Sequence, residues 1–297
     1  MSALFLTLLV ALAGPQPGQQ ATVDVSVATV WQSPSSPRRI DSPALGNPVD
    51  LDAWNRNLAS TPARAGLGGR VVTQALYGEK VLVTEVSGSW AKVVIPDQPS
   101  PLDSRGYPGW VPLRQLKAGG LAGRTHLVLT AKKGEVRIGN RVLEVSYGTR
   151  LPLVRWSGDF AYVRTPDGLG TVAGGDWGKP LAPTGSAVVA DAKKFLGLRY
   201  LWGGTSAWGF DCSGLFWDVL RVHGVTVPRD TGPQSHGGRP IPGALRPGDL
   251  LLYGSPATHA AIVAGGGMMI EAPDSAHAVR LVPLRPGYTF ARRYTRG

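Results

Sequence analysis

The chain of 297 residues holds one cysteine, Cys212, within Gly209-Phe210-Asp211-Cys212-Ser213-Gly214. Leu215, Phe216, Val219 and Leu220 follow at helical spacing and Gly224 stops them, so Cys212 stands where a helix begins. A thiol there faces the positive end of the helix dipole and unpaired backbone N–H groups. That predicts a lowered pKa and a sulfur able to attack a carbonyl carbon. The other fate of a lone thiol is burial as a small hydrophobe, but Asp, Ser and Gly are poor neighbours for such a plug. A single cysteine excludes an intramolecular disulfide and any multi-cysteine zinc or iron–sulfur centre. No metal or organic cofactor is implied.

A nucleophilic thiol needs a base, and there are five histidines. His126 lies far upstream in a β-rich stretch, His223 falls at the end of the Cys212 helix where a cation caps, and His236 and His277 sit in loop-like segments. His259 instead opens an apolar strand, His259-Ala260-Ala261-Ile262-Val263, that turns at Gly265-Gly266-Gly267 into Met268-Met269-Ile270-Glu271. A hairpin centred near Gly265 predicts His259 directly opposite Glu271 on one face of the sheet. A carboxylate in that place fixes the tautomer of the imidazole and stabilises the imidazolium. Alone, such a pair is more often only a surface cross-strand contact. With Cys212 it becomes a candidate triad. No Walker loop, paired-histidine zinc motif or Gly-x-Ser-x-Gly elbow competes.

The elements that must position these residues follow from composition and pattern. Hydrophobic residues make up 43% and charged residues 17%, which excludes a disordered chain. Forty Gly and 25 Pro argue for many short strands and turns. The net charge of +11 suits an anionic surface, although the 31 Lys and Arg form no long block and name no partner. Runs such as Val71 to Gln74, Lys80 to Val86 and Trp90 to Ile95 predict a first β module over 22–118, in which Gln32 to Gly69 reads as a long loop or small insertion. A second module of the same texture is predicted over 119–183. Trp90-Ala-Lys-Val and Phe160-Ala-Tyr-Val occupy similar places in the two, a faint internal repeat. Beyond Pro180 to Pro183 the pattern turns helical, with Ser186 as cap, and strands follow the Cys212 helix. Residues 184–297 therefore predict an α+β domain. At the other end, Ala3 to Ala13 is apolar, too short to span a bilayer, and ends in small-x-small. It reads as a signal peptide with a linker, over 1–21, and predicts a secreted, periplasmic or cell-envelope protein without a transmembrane segment.

Five ordered motifs resemble one known family: Tyr200-Leu201-Trp202-Gly203-Gly204, Phe210-Asp211-Cys212-Ser213-Gly214-Leu215, Pro228-Arg229-Asp230 with Gln234, Pro247-Gly248-Asp249-Leu250, and His259-Ala260-Ala261-Ile262. They look like the NlpC-type papain-like cysteine peptidases of bacterial cell walls. The N-terminal runs Ala28-Thr29-Val30-Trp31, Thr73 to Glu79 and Gly106-Tyr107-Pro108-Gly109-Trp110 are similar to the paired bacterial SH3-like β-barrels of the YkfC-like subgroup, the γ-D-glutamyl-L-diamino acid dipeptidyl-peptidases.

The resemblance implies a thiol peptidase acting on murein stem peptides, with Cys212 as nucleophile, His259 as acid and base, and Glu271 orienting His259. Many relatives carry His at the third position, so Glu271 is a departure. The resemblance also implies that Tyr107, Asp211 and Ser213 help hold the free amine of L-Ala. Asp211 serves equally as the helix N-cap. Glu79 is a further acid placed near that amine. An anionic wall polymer is a possible second partner; nucleic acid is not expected. Two other classes stay open: a wall-binding protein with an inactive peptidase domain, and an acyltransferase or amidase on the same thiol fold.

Overall fold

The computed structural model describes residues 14–296. The apolar run Ala3 to Ala13, and the signal peptide read from it, lie outside the described residues. Among those described, no helix is long and apolar enough to cross a membrane.

Short strands separated by turns build three larger sheets whose named pairings are all antiparallel. The first holds β1 (Gln20–Val23), β2 (Val27–Trp31), β3 (Val71–Leu76), β4 (Lys80–Ser87), β5 (Trp90–Ile95), β6 (Tyr107–Pro112) and β7 (Leu116–Ala118). Their order across the sheet is β3-β2-β6-β5-β4-β1-β7. The second holds β8 (His126–Leu129), β9 (Lys133–Ile138), β10 (Arg141–Ser146), β11 (Arg150–Ser157), β12 (Phe160–Thr165), β13 (Gly168–Ala173) and β14 (Trp177–Gly178), in the order β10-β9-β13-β12-β11-β8-β14. Counted within each sheet, the two orders are identical. The Trp90 and Phe160 runs are both fifth strands, so the faint sequence repeat matches a topological one.

The stretch after β2 is the small insertion of the two readings, not the long loop. A 3-10 turn, Arg39–Ala44, leads into α1 (Leu51–Asn57) and α2 (Thr61–Ala65). Asp50 caps α1 by accepting from the Ala53 N–H at 2.8 Å, and Ser60 caps α2 by accepting from Ala63 at 3.3 Å. Buried Trp54, Leu58 and Leu67 pack with Trp31 in a core of their own. Helices this short show too few turns for a 3.6-residue pattern, which is why the sequence leaves both readings open.

The third region opens with α3 (Gly185–Lys193). Its cap is Thr184, not Ser186: Thr184 has extended backbone and accepts from the Ala187 N–H, whereas Ser186 already lies in the first turn. A two-strand hairpin, β15 (Thr205–Ser206) and β16 (Gly209–Phe210), delivers the chain to α4 (Cys212–Val222), followed by α5 (Thr231–Gln234). The last sheet comprises β17 (Arg239–Pro240), β18 (Leu250–Tyr253), β19 (His259–Gly265), β20 (Met268–Glu271), β21 (Arg280–Pro283) and β22 (Phe290–Arg293), ordered β17-β22-β18-β19-β20-β21. From Ser213 to Val222 every residue of α4 is buried. The helix is thus covered all round, and Val128 and Tyr147 of the second sheet join its core beside Phe216, Val219 and Ile262.

Candidate active site

Asp211 has extended backbone and caps α4, its Oδ1 accepting from the Gly214 N–H at 2.6 Å. Gly214 is required there because a Cβ would collide with the carbonyl oxygen of Gly204. The cap sets Cys212 as the first helical residue, and the backbone N–H groups of Ala260 and Ser213 act to lower its pKa. α4 packs on β19, whose first residue is His259.

Burial pushes the Cys212 thiol up to about 12, and the Asp211 carboxylate adds to the rise against the two N–H groups and Arg229. This corrects the expected lowering: the dipole of a helix end is outweighed when the sulfur leaves water and a carboxylate stands beside it. Tyr200 also faces this place, since burial, Asp211 and Cys212 all push its hydroxyl up. It therefore stays protonated and able to donate.

His259 Nε2 and Glu271 Oε2 lie 2.7 Å apart. The register differs from the expected one. Glu271 pairs with Ala261, not with His259, and a bulge between Val263 and Gly265 moves the turn onto Gly266 and Gly267. Both have positive φ, 58° and 72°, as a tight two-residue hairpin turn demands. The offset of two residues leaves His259 and Glu271 on the same face as diagonal neighbours, within reach of the longer carboxylate side chain. Nε2 is engaged by Glu271, which leaves Nδ1 for proton exchange with the thiol.

Glu271 is 1% exposed and heavily paired. Its Oε1 accepts from Arg280 Nε at 2.9 Å and Nη2 at 2.7 Å, and its Oε2 from Arg285 Nη2 at 2.7 Å. Burial raises such a carboxyl, but the hydrogen bonds from His259 and Arg280 and the charge of Arg285 hold it at about 2. Arg280 stands opposite Glu271 on β21, so the sheet itself supplies one counter-ion.

A second polar cluster flanks the thiol. Fully buried Arg229 grips Asp211 through Nη1 at 3.0 Å and Nη2 at 2.7 Å, and also donates to Ser213 Oγ at 3.0 Å and to Thr73 Oγ1 on β3 at 2.9 Å. Next to it, Asp230 Oδ2 accepts from the Tyr107 hydroxyl of β6 at 2.9 Å. Burial pushes the Asp230 carboxyl up and Asp211 adds to it, against Arg229. Tyr107, Asp211 and Ser213 are therefore brought together near Cys212.

Glu79 is not. It is buried at the opposite end of α4 and forms an ion pair with Arg221. Arg221 is nine residues beyond Cys212, about 13 Å along the helix axis. The placement of Glu79 beside the substrate amine is corrected accordingly: its partner lies where the chain of α4 ends, not where it begins.

Sequence reasoning assigned no role to Tyr200, Arg229, Asp230, Arg280 or Arg285. The first three lie in the quoted motifs, and Asp230 directly after Arg229 was the available signal. The two arginines of Glu271 carried none, because their contact depends on the pairing of β20 with β21.

Residues 197–296 match the model of the NlpC/P60 family, and residues 63–116 match that of the bacterial dipeptidyl-peptidase Sh3 domain. The chain is similar to the gamma-D-glutamyl-L-lysine dipeptidyl-peptidase of Bacillus cereus, 36% identical over 98% of this chain and 96% of the relative. A second relative, the gamma-D-glutamyl-L-lysine dipeptidyl-peptidase of Bacillus subtilis, is 35% identical over 89% of this chain and 93% of its own. The fold resembles the crystal structure of an NlpC/P60 family protein from Bacillus cereus, with a TM-score of 0.87 and 35% identity over 93% of this chain and 100% of the other.

Proposed function

The chain belongs to the NlpC/P60 family, and we propose that it is a cysteine peptidase hydrolysing the γ-D-glutamyl to L-diamino acid bond of murein stem peptides with a free N-terminal L-Ala. The observation that carries this reading is the packing of α4, which opens with Cys212, on β19, which opens with His259 held by a buried, ionised Glu271. The names of the two Bacillus relatives point to the same bond.

The chemistry follows from the groups present. Because the resting thiol is neutral, His259 Nδ1 takes its proton as the sulfur attacks the γ-carbonyl carbon of D-Glu. The N–H groups of Ala260 and Ser213 stabilise the developing thiolate. The Cys212 N–H and the Tyr200 hydroxyl receive the oxyanion. The imidazolium, steadied by Glu271, then protonates the departing amine, and a thioester remains. Water deprotonated by His259 cleaves it and releases L-Ala-γ-D-Glu.

Selection for a free amine rests on charge. Asp211 and Asp230 set two carboxylates against the single guanidinium of Arg229, which leaves one negative charge over when both are ionised. An L-Ala ammonium balances it, and an acylated nitrogen does not. Tyr107 orients Asp230 and narrows that end of the cleft. We read the two seven-stranded sheets as paired SH3-like barrels over 22–118 and 119–183, ahead of a peptidase domain at 184–297. Their shared strand order supports this. Action outside the cytoplasm belongs to the same proposal and rests on the Ala3 to Ala13 run and the wall-derived substrate.

Purified protein incubated with L-Ala-γ-D-Glu-L-Lys, its diaminopimelate counterpart and N-acetylated analogues tests the reading. Release of L-Ala-γ-D-Glu from free-amine peptides only, lost in Cys212→Ala, is the expected result. Equal cleavage of acetylated peptides removes the amine gate, and turnover persisting in Cys212→Ala removes the nucleophile.

A further inference from the structure

One cavity lies away from the thiol. It is a cleft of about 910 Å³ where both N-terminal sheets meet the C-terminal end of α4, with Trp217 and Arg221 of α4 among its walls. Five cations line it: Lys80 of the first sheet, Arg124 and Arg150 of the second, Lys179 of the linker and Arg221. Only two carboxylates face them, Glu79 and Asp97, and both are within ion-pair reach of Arg221. Among the described residues, Lys80, Arg124 and Lys179 have no carboxylate within reach.

The floor is already charge-paired, since Arg221 meets the buried carboxylates of Glu79 and Asp218. Arg221 is 5% exposed, and its Nε has no hydrogen-bond partner. Arg150 Nε is likewise buried and unpartnered, while its Nη2 donates to the Arg221 carbonyl. Burial and the adjoining Arg221 charge push the Arg150 guanidinium down to about 10.

We propose that this junction binds a linear polyanion, a chain bearing repeated phosphate or carboxylate groups, at a site separate from the peptidase cleft. The volume accommodates several repeat units instead of one ion. The rim cations come from different modules and do not converge as a single-ion cradle would. A chain running across them meets Lys80, Arg124 and Lys179 in turn. Binding there holds the protein on an anionic polymer while Cys212, at the far end of α4, stays open to peptide.

Titration calorimetry of the full chain with oligo(glycerol phosphate), oligogalacturonate, inorganic phosphate and single-stranded DNA of equal charge tests this, at low and at physiological salt. Expected are saturable binding of one or both of the first two oligomers, weaker binding of inorganic phosphate, and about tenfold loss of oligomer affinity in the triple variant Lys80→Gln, Arg124→Gln, Lys179→Gln. Preference between the two oligomers distinguishes phosphate from carboxylate polymer. The triple variant alters exposed rim residues only and keeps the parental rate on free-amine peptide, which separates failure of this site from failure of the peptidase reading. The proposal is overturned if neither oligomer binds, if DNA binds more tightly than both, or if inorganic phosphate binds as tightly as the oligomers. An equal loss on substituting three outlying exposed cations, Arg114, Arg164 and Lys193, also overturns it, since diffuse charge then accounts for the binding.

Discussion

The two N-terminal sheets share one strand order and differ in their connections. Between its second and third strands the second sheet turns in two residues, Gly139 and Asn140, where the first inserts residues 32–70 with two helices. Between fifth and sixth strands the second uses Pro166 and Asp167, the first residues 96–106. The long connections face the cleft side. Arg64 of α2 donates to the Tyr200 carbonyl at 2.8 Å, and the Pro99 carbonyl accepts from the Arg229 N–H at 3.1 Å. The second sheet grips the far side instead: Tyr147 donates to Asp191 at 2.8 Å, and the Gly148 carbonyl accepts from Arg221 at 3.2 Å. A repeated scaffold has thus been divided, one copy lengthened into a wall of the cleft and the other kept short as a support.

Breaking the first junction costs most. In Arg229→Leu, Asp211 is left buried and unpaired, and stability falls by about 3–5 kcal/mol in denaturant unfolding. A loss below about 1 kcal/mol shows that the first sheet is held on otherwise. Glu271→Gln tests chemistry that neither sheet touches: kcat falls on the order of 100-fold while KM for the tripeptide stays near its parental value. Its pH signature has a definite sign. The folded pKa of Glu271, about 2, lies below the ordinary 4.5, so its contribution, about 3 kcal/mol, is present above pH 4.5 and lost as pH falls through 2. The variant lacks that part of the slope, and identical acid unfolding curves contradict the pairing.

Two tyrosines sharpen the contrast. Tyr107→Phe removes a hydroxyl from the Asp230 side of the cleft, raising KM for the free-amine peptide about tenfold with kcat little changed. Tyr147→Phe, in the turn after β10 that docks on α3, lowers stability by about 1 kcal/mol and leaves KM alone. If both variants shift KM alike, the division of labour between the sheets is wrong.

Much of this was legible before the fold was seen. The strands of the third region read from Asp249 to Tyr253, His259 to Val263 and Phe290 to Tyr294 agree with the observed ones to within two residues. The hairpin register did not, because a bulge inserts a residue without altering hydrophobic alternation at either side. The helices after β2 were missed for want of length. The neutral state of the thiol was misjudged because burial acts against the dipole, and burial is not a local property.

Amino-acid order alone determined what near neighbours dictate: a sulfur at a capped helix start, an imidazole opening an apolar strand, a carboxylate kept on its face by a period of two, and a β pattern written twice. Tertiary structure decided which charges meet. Arg229 joins Asp211 to Thr73, Tyr107 reaches Asp230, two arginines close on Glu271, and Glu79 goes to Arg221 instead of the cleft. Those pairings span modules or strands far apart in the chain, where no periodicity records them, and the cost of burying a charge unpaired selects them only once the modules have docked.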